Sequence, residues 1–310
     1  MADDRRGTGA AAAPGHLAAA GARPAGRASA AAPAAPAIRL GCIDYLNCLP
    51  VYFGIERGAV EWDGTLHKGP PSVLNQAFRE GRLDVTPVSS IEYARRAAEC
   101  VVLPDLSICA DGRVASILLF HRRPLTELDG RPVALTASSA TSVVLARIIL
   151  ELRYGVRPEY RVAPPDLEAM LAEHDAALLI GDDALLAAQA FPGIPRVDLG
   201  EEWKAFTGHP MVYALWVARR ELAESDPAAL RRVIRALQAS REYARNHRQE
   251  LVAEAAARRG LPPELVDEYF DVIRHELGPR WRQGLMTYYE YACRLGELQA
   301  VPPLRVWTEE

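Results

Sequence analysis

The chain of 310 residues is 49% hydrophobic and 25% charged, which suits a globular protein of about two domains and excludes a wholly disordered one. A net charge of −4 argues against a nucleic-acid partner, and no apolar run reaches the ~18 residues of a membrane helix. The five cysteines are odd in number and form no CxxC pair, and the seven histidines are scattered, so no metal-ligand spacing is present and buried thiols in a reducing compartment are expected.

Residues 1–36 are mainly Ala, Gly, Pro and Arg, without aromatic residues or periodicity, and are expected to form a disordered tail. Pro14, Gly15, Gly21 and Pro24 interrupt any export-signal core there, and Arg23 and Arg27 charge it. From residue 38 short apolar runs alternate with helical stretches. Strands are predicted over 39–43, 85–88, 116–120, 132–135, 176–180 and 211–217, and helices over 51–57, 72–80, 91–99, 142–153, 166–173 and 183–190. This is α/β order, with mostly parallel strands expected. After residue 220 the pattern is helical, over 226–246, 248–259, 263–275 and 280–298, and reads as packing without a catalytic cluster. A fresh α/β unit opens near 128, and the strand 211–217 leads back toward the first. Two lobes follow: lobe 1 is 37–127 plus 218–310, lobe 2 is 128–217, and a hinge spans the cleft between them.

The first strand runs into Asp44-Tyr45-Leu46-Asn47, a polar cluster at the place where open α/β sheets bind ligands. Asn47 offers a donor and an acceptor; its alternative role is a turn capping the next helix. The neighbouring Cys48 is read as a buried thiol. Thr136-Ala-Ser-Ser-Ala-Thr-Ser142 brings five hydroxyls to a helix start, an anion site by geometry or one N-cap among small residues. Ser89 and Ser90 repeat the theme, as a second cleft wall or as a cap. Ser116 heads an apolar strand, where pattern alone favours a local hydrogen bond; no GxSxG surrounds it. Asp182 and Asp183 follow Gly181 and read by pattern as a strand-to-helix cap.

Seven segments, Tyr45-Leu-Asn-Cys-Leu-Pro50, Gly81-Arg-Leu-Asp-Val-Thr-Pro-Val88, Pro104-Asp-Leu106, Gly112-Arg-Val-Ala-Ser116, Thr141-Ser142, Leu179-Ile-Gly-Asp182 and Trp203-Lys-Ala-Phe-Thr-Gly-His-Pro210, stand in the order of the menaquinone-biosynthesis chorismate dehydratases. The chain resembles that family from about residue 38 to 300. The resemblance implies a two-lobed, periplasmic-binding-protein-like (type II) α/β fold with a cleft between lobes and a helical C-terminal part. It implies a cytoplasmic hydro-lyase that converts chorismate to 3-[(1-carboxyvinyl)oxy]benzoate in the futalosine route. The family's catalytic Asn falls on Asn47 and its catalytic Ser on Ser116, which replaces the pattern-only reading of Ser116. The expected substrate-binding residues are Tyr45, Ser89, Ser90, Ser138, Ser139, Thr141, Ser142 and Asp182. No cofactor or metal is expected, and no partner beyond the small-molecule substrate; the chain is a monomer or a homodimer. Two alternatives stay open. One is the 1,4-dihydroxy-6-naphthoate synthase of the same pathway, the other a solute-binding or sensor protein, since fold does not fix function.

Overall fold

The structure, a computed structural model, describes residues 37–308; the tail expected over 1–36 lies outside them. The described strands are β1 (Arg39–Ile43), β2 (Thr65–Gly69), β3 (Val85–Ser89), β4 (Cys100–Ala110), β5 (Ile117–His121), β6 (Pro132–Thr136), β7 (Glu159–Ala163), β8 (Ala176–Ile180), β9 (Arg196–Asp198) and β10 (Met211–Arg219). They form two five-stranded sheets, in the orders β2-β1-β3-β10-β4 and β7-β6-β8-β5-β9.

The expectation of mostly parallel strands is corrected. β1 is parallel to β2 and β3, and β6 to β7 and β8. β10, however, is antiparallel to β3 and β4, and β5 to β8 and β9, so both sheets are mixed. A parallel neighbour needs a crossover connection. β5 and β10 instead bring the chain into a sheet directly from the other one. Sheet membership also moves the expected crossings at 128 and 217. β5 already belongs to the second sheet and the whole of β10 to the first, which places the crossings at 111–116 and 208–210. A crossing strand carries no break in its apolar run, so hydrophobicity does not mark it.

β4 is absent from the predicted strands because Pro104 and Asp105 interrupt its apolar run. Pro is tolerated on an edge strand, which β4 is. Asp105 adopts φ +55°, and its carboxylate accepts from the Leu277 N–H at 3.2 Å and pairs with Arg241 at 2.9 Å.

The helices are, around the first sheet, α1 (Leu49–Glu56), α2 (Pro71–Arg79) and α3 (Ser90–Arg95); around the second, α4 (Ala140–Arg147), α5 (Leu167–Glu173), α6 (Gly181–Ala190) and α7 (Leu199–Thr207). The C-terminal set is α8 (Arg220–Ser225), α9 (Pro227–Asn246), α10 (Arg248–Arg259), α11 (Pro263–Val272) and α12 (Pro279–Arg294). α1 is buried over Leu49–Ile55, with the polar Ser240 of α9 against it; Gly54 and Ile55 donate their N–H groups to the Ser240 Oγ at 2.9 and 3.2 Å. The helix expected over 263–275 ends at Val272. There the chain extends, and Arg274 exchanges backbone hydrogen bonds of 2.8 and 2.9 Å with Cys109 of β4. That pairing carries His275 to the site.

The start of β1 is fixed by its packing. A Cβ on Gly41 would lie 2.3 Å from Thr86 Oγ1, so only glycine lets β3 approach. The buried Tyr52 hydroxyl donates to the Gly41 carbonyl at 2.7 Å and accepts from Trp216 Nε1 at 2.8 Å, linking β1, α1 and β10. The turn after β1 is thereby held against the core.

Candidate active site

The two sheets point the ends of β1, β3, β6 and β8 and the head of β5 at one cleft. Its wall includes Tyr45, Asn47, Ser89, Ser116, Ser138, Ser139 and Ser142, with Cys48, Gly181 and Tyr213. Seven of the ten residues expected to act therefore meet here. The space between the side chains there is about 60 Å³, well below the ~300 Å³ of an ordinary ligand pocket. A ring-sized ligand needs more room than this arrangement offers. Larger hollows of about 350 and 300 Å³ hold neither Asn47 nor Ser116; the first is lined in part by Ala115, Asp198 and Tyr269, neighbours of Ser116, and the second mostly by charged side chains.

Asn47 sits in the turn between β1 and α1, where Cys48 and Leu49 donate their N–H groups to the Tyr45 carbonyl. Its own carbonyl accepts from His275 Nε2 at 2.7 Å, which requires the ring proton on Nε2. Burial pushes the His275 pKa down to about 4, so the ring is neutral at pH 7. The Asn47 side-chain Oδ1 is buried and has no hydrogen-bond partner among the described residues. Such an acceptor costs ~1–3 kcal/mol unless a ligand donates to it.

Ser116 is held from three sides. Ala115, just before it, adopts φ +62°, a strained value for a residue with a side chain. The Asp198 carboxylate accepts from the Ala115 N–H at 2.7 Å and from the Val114 N–H at 3.0 Å, and it also takes the Gly200 N–H at 2.8 Å at the start of α7. The Ser116 carbonyl accepts from the Gly181 N–H at 2.7 Å, and Ser116 Oγ lies 2.9 Å from Tyr269 Oη on α11. Gly181 has φ +61°, which favours glycine, and the Tyr45 ring packs over it, 3.4 Å from an ideal Cβ.

Four of the five hydroxyls of 136–142, those of Thr136, Ser139, Thr141 and Ser142, have protein partners. Thr136 Oγ1 accepts from the Ser138 N–H at 3.1 Å; Ser139 caps α4 by accepting from the Ser142 N–H at 3.3 Å and donates to Ser142 Oγ at 3.0 Å. Their number alone is therefore not the mark of an anion site, although Ser138, Ser139 and Ser142 do face the cleft.

Three expected substrate-binding residues stand behind the wall. Ser90 Oγ and Thr141 Oγ1 share a buried hydrogen bond of 3.2 Å that joins α3 to α4, and Ser90 Oγ also donates to the Val212 carbonyl at 2.9 Å. Asp182 caps no helix and faces no cavity. Its buried carboxylate accepts from the Leu46 N–H at 3.0 Å and pairs with Arg259 Nε of α10 at 2.5 Å. Burial pushes the Asp182 pKa up, opposed by the Leu46 hydrogen bond and Arg259. These polar groups bridge the two sheets.

No side chain of the wall is charged at pH 7. Its titratable members are Tyr45, Cys48 and Tyr213, and burial raises the pKa of each. Cys48 is thus a protonated thiol rather than a nucleophile. Tyr269, His275, Asp198 and Arg259 are the functional residues that local pattern misses; Tyr269 meets Ser116 across 153 positions.

The profile of the menaquinone biosynthesis family matches residues 38–294. A chorismate dehydratase from Thermus thermophilus is 34% identical over 267 residues, covering 81% of this chain and 93% of that protein. A 1,4-dihydroxy-6-naphtoate synthase from the same organism is 31% identical over 234 residues, covering 70% and 82%. The aliphatic sulphonate binding protein SsuA of Escherichia coli superposes with a TM-score of 0.63 at 16% identity, over 88% of this chain and 98% of that one, which shows a periplasmic-binding-protein-like fold.

Proposed function

The chain belongs to the menaquinone biosynthesis family, and we propose that it acts there as a chorismate dehydratase, a hydro-lyase giving 3-[(1-carboxyvinyl)oxy]benzoate and water. Asn47 and Ser116 lining one cleft with an uncharged wall is the observation that carries this reading. In the elimination the C3–H bond breaks and its electron pair forms the C3–C4 double bond. The C4–O bond breaks in turn, and the departing hydroxide takes up the proton as water. The ring becomes aromatic, which drives the reaction.

The protein's part is placement. Asn47 Oδ1 receives the substrate's hydroxyl, and the Ser116 hydroxyl donates to the oxygen as it leaves. The carboxylates rest on the Ser138, Ser139 and Ser142 hydroxyls and on amides at the start of α4. The wall offers no base at pH 7, so the C3 proton goes first to the substrate's own enolpyruvyl carboxylate, held close by the fold, and passes from there to the departing hydroxide. Each sheet with its helices acts as a lobe, and closure fixes this geometry. Chorismate is a cytoplasmic metabolite, so the activity implies a cytoplasmic enzyme.

Chorismate incubated with the purified protein should lose one water, followed by chromatography and mass. Asn47→Ala should lower kcat by about 10²–10³-fold and Ser116→Ala by a smaller factor, as for other preorganised donors. Unchanged chorismate with a folded protein would sink the reading. The naphthoate synthase reading, favoured by the 31% identical relative, would then be tested with the cyclic futalosine derivative. Melting shifts without turnover would indicate a binding protein.

A further inference from the structure

The helical C-terminal part brings one hydroxyl to Ser116. Tyr269 of α11 is buried and places its Oη 2.9 Å from Ser116 Oγ. We propose that Tyr269 is a positioning residue of the dehydration, whose hydroxyl donates to Ser116 Oγ so that the Ser116 proton turns to the departing oxygen of the substrate. This rests on the dehydratase reading.

A hydroxyl has one proton and two acceptor positions. Two hydroxyls sharing one hydrogen bond therefore leave one proton free, and the direction of the bond decides which. If Ser116 donated to Tyr269, it would meet the substrate as an acceptor alone and could not stabilise a departing hydroxide. Acidity favours the opposite direction. A phenol is a far stronger acid than an aliphatic alcohol and so the better hydrogen-bond donor of the two. The phenol proton then goes to Ser116. The order runs from the Tyr269 hydroxyl through Ser116 Oγ to the substrate. Burial, the largest influence, raises the Tyr269 pKa, so the phenol stays a neutral donor and does not become a base. The same bond ties the Ser116 side chain to α11, so a shift of that helix misplaces it.

Tyr269→Phe removes one oxygen and keeps the ring. The expected result is a kcat lowered by roughly tenfold to hundredfold, less than for a donor that touches the substrate, with KM within about twofold, because the interaction acts in the transition state. In a Ser116→Ala background the same substitution should change kcat by less than about twofold, since its partner is gone. A ring that merely packs predicts either no change in kcat or the same factor in both backgrounds, and either result overturns the inference. If the single variant does not fold, the double variant, which leaves no orphaned hydroxyl, decides: a kcat about tenfold or more below that of Ser116→Ala overturns the proposal. Wild-type protein that leaves chorismate intact overturns the dehydratase reading and this inference together. Turnover by wild type with an unaltered Tyr269→Phe kcat overturns the inference alone.

Discussion

His275 fixes the main chain of Asn47 through a single ring proton, and this makes the site sensitive to acid. In the unfolded chain a histidine titrates near 6.5, whereas burial lowers His275 to about 4 in the fold. Arg241 and Arg274 add to the shift, and the hydrogen bond to the Asn47 carbonyl opposes it. Between those values the unfolded chain binds a proton that the folded chain does not. The contribution is complete above about pH 6.5 and is lost as pH falls toward 4. The urea midpoint should therefore drop between pH 7 and pH 4.5. His275→Gln, which keeps an N–H donor and does not titrate, should show a smaller drop over the same range; an equal drop in both would locate the acid sensitivity elsewhere.

Among the elements, β1 and β8 are legible residue for residue, since both are short apolar runs bounded by polar turns. α10 is equally plain, ended by Gly260 at φ +64°. Asn47 is legible as a polar residue where the first strand ends, whereas Ser116 is singled out only by the family resemblance, since a hydroxyl at a strand head is as often bonded locally. The edge strands β2 and β7 are mostly exposed and polar, so they leave no hydrophobic signature. α11 shows the opposite case. Its periodicity marks it as packing, and nothing local indicates that its one tyrosine, Tyr269, reaches the Ser116 hydroxyl at the head of β5. Nine candidate hydroxyl or amide residues look alike in sequence from 45 to 142, and the pairing of Ser90 with Thr141 separates the two that join elements from the seven that face the cleft.

At the scale of the whole molecule, function depends on how the two sheets meet. Leu46 and Arg259 reach Asp182 from the side of the first sheet, and Arg259 also pairs with Asp44 at 3.2 Å. Asp182 is buried, so removing its cation leaves an uncompensated charge in the join. Arg259→Met should favour the parted arrangement, raising KM for chorismate about tenfold with a smaller effect on kcat. Small-angle scattering of the free protein should show a larger radius of gyration than wild type. An unchanged radius and KM would mean that the Ser90–Thr141 contact and the packing around it suffice to hold the sheets together.

An uncharged wall has a consequence for ionic conditions. Many enzymes capture dianions with arginine or lysine, and added electrolyte then weakens capture by shielding opposite charges. Here the wall carries no cation to shield, and the protein as a whole bears −4. Electrolyte would shield only repulsion between protein and dianion. Raising sodium chloride from about 0.01 to 0.3 M, which shortens the screening length several-fold, should leave KM level or lower it. A steep rise would reveal a cation that joins the substrate when the cleft is in use.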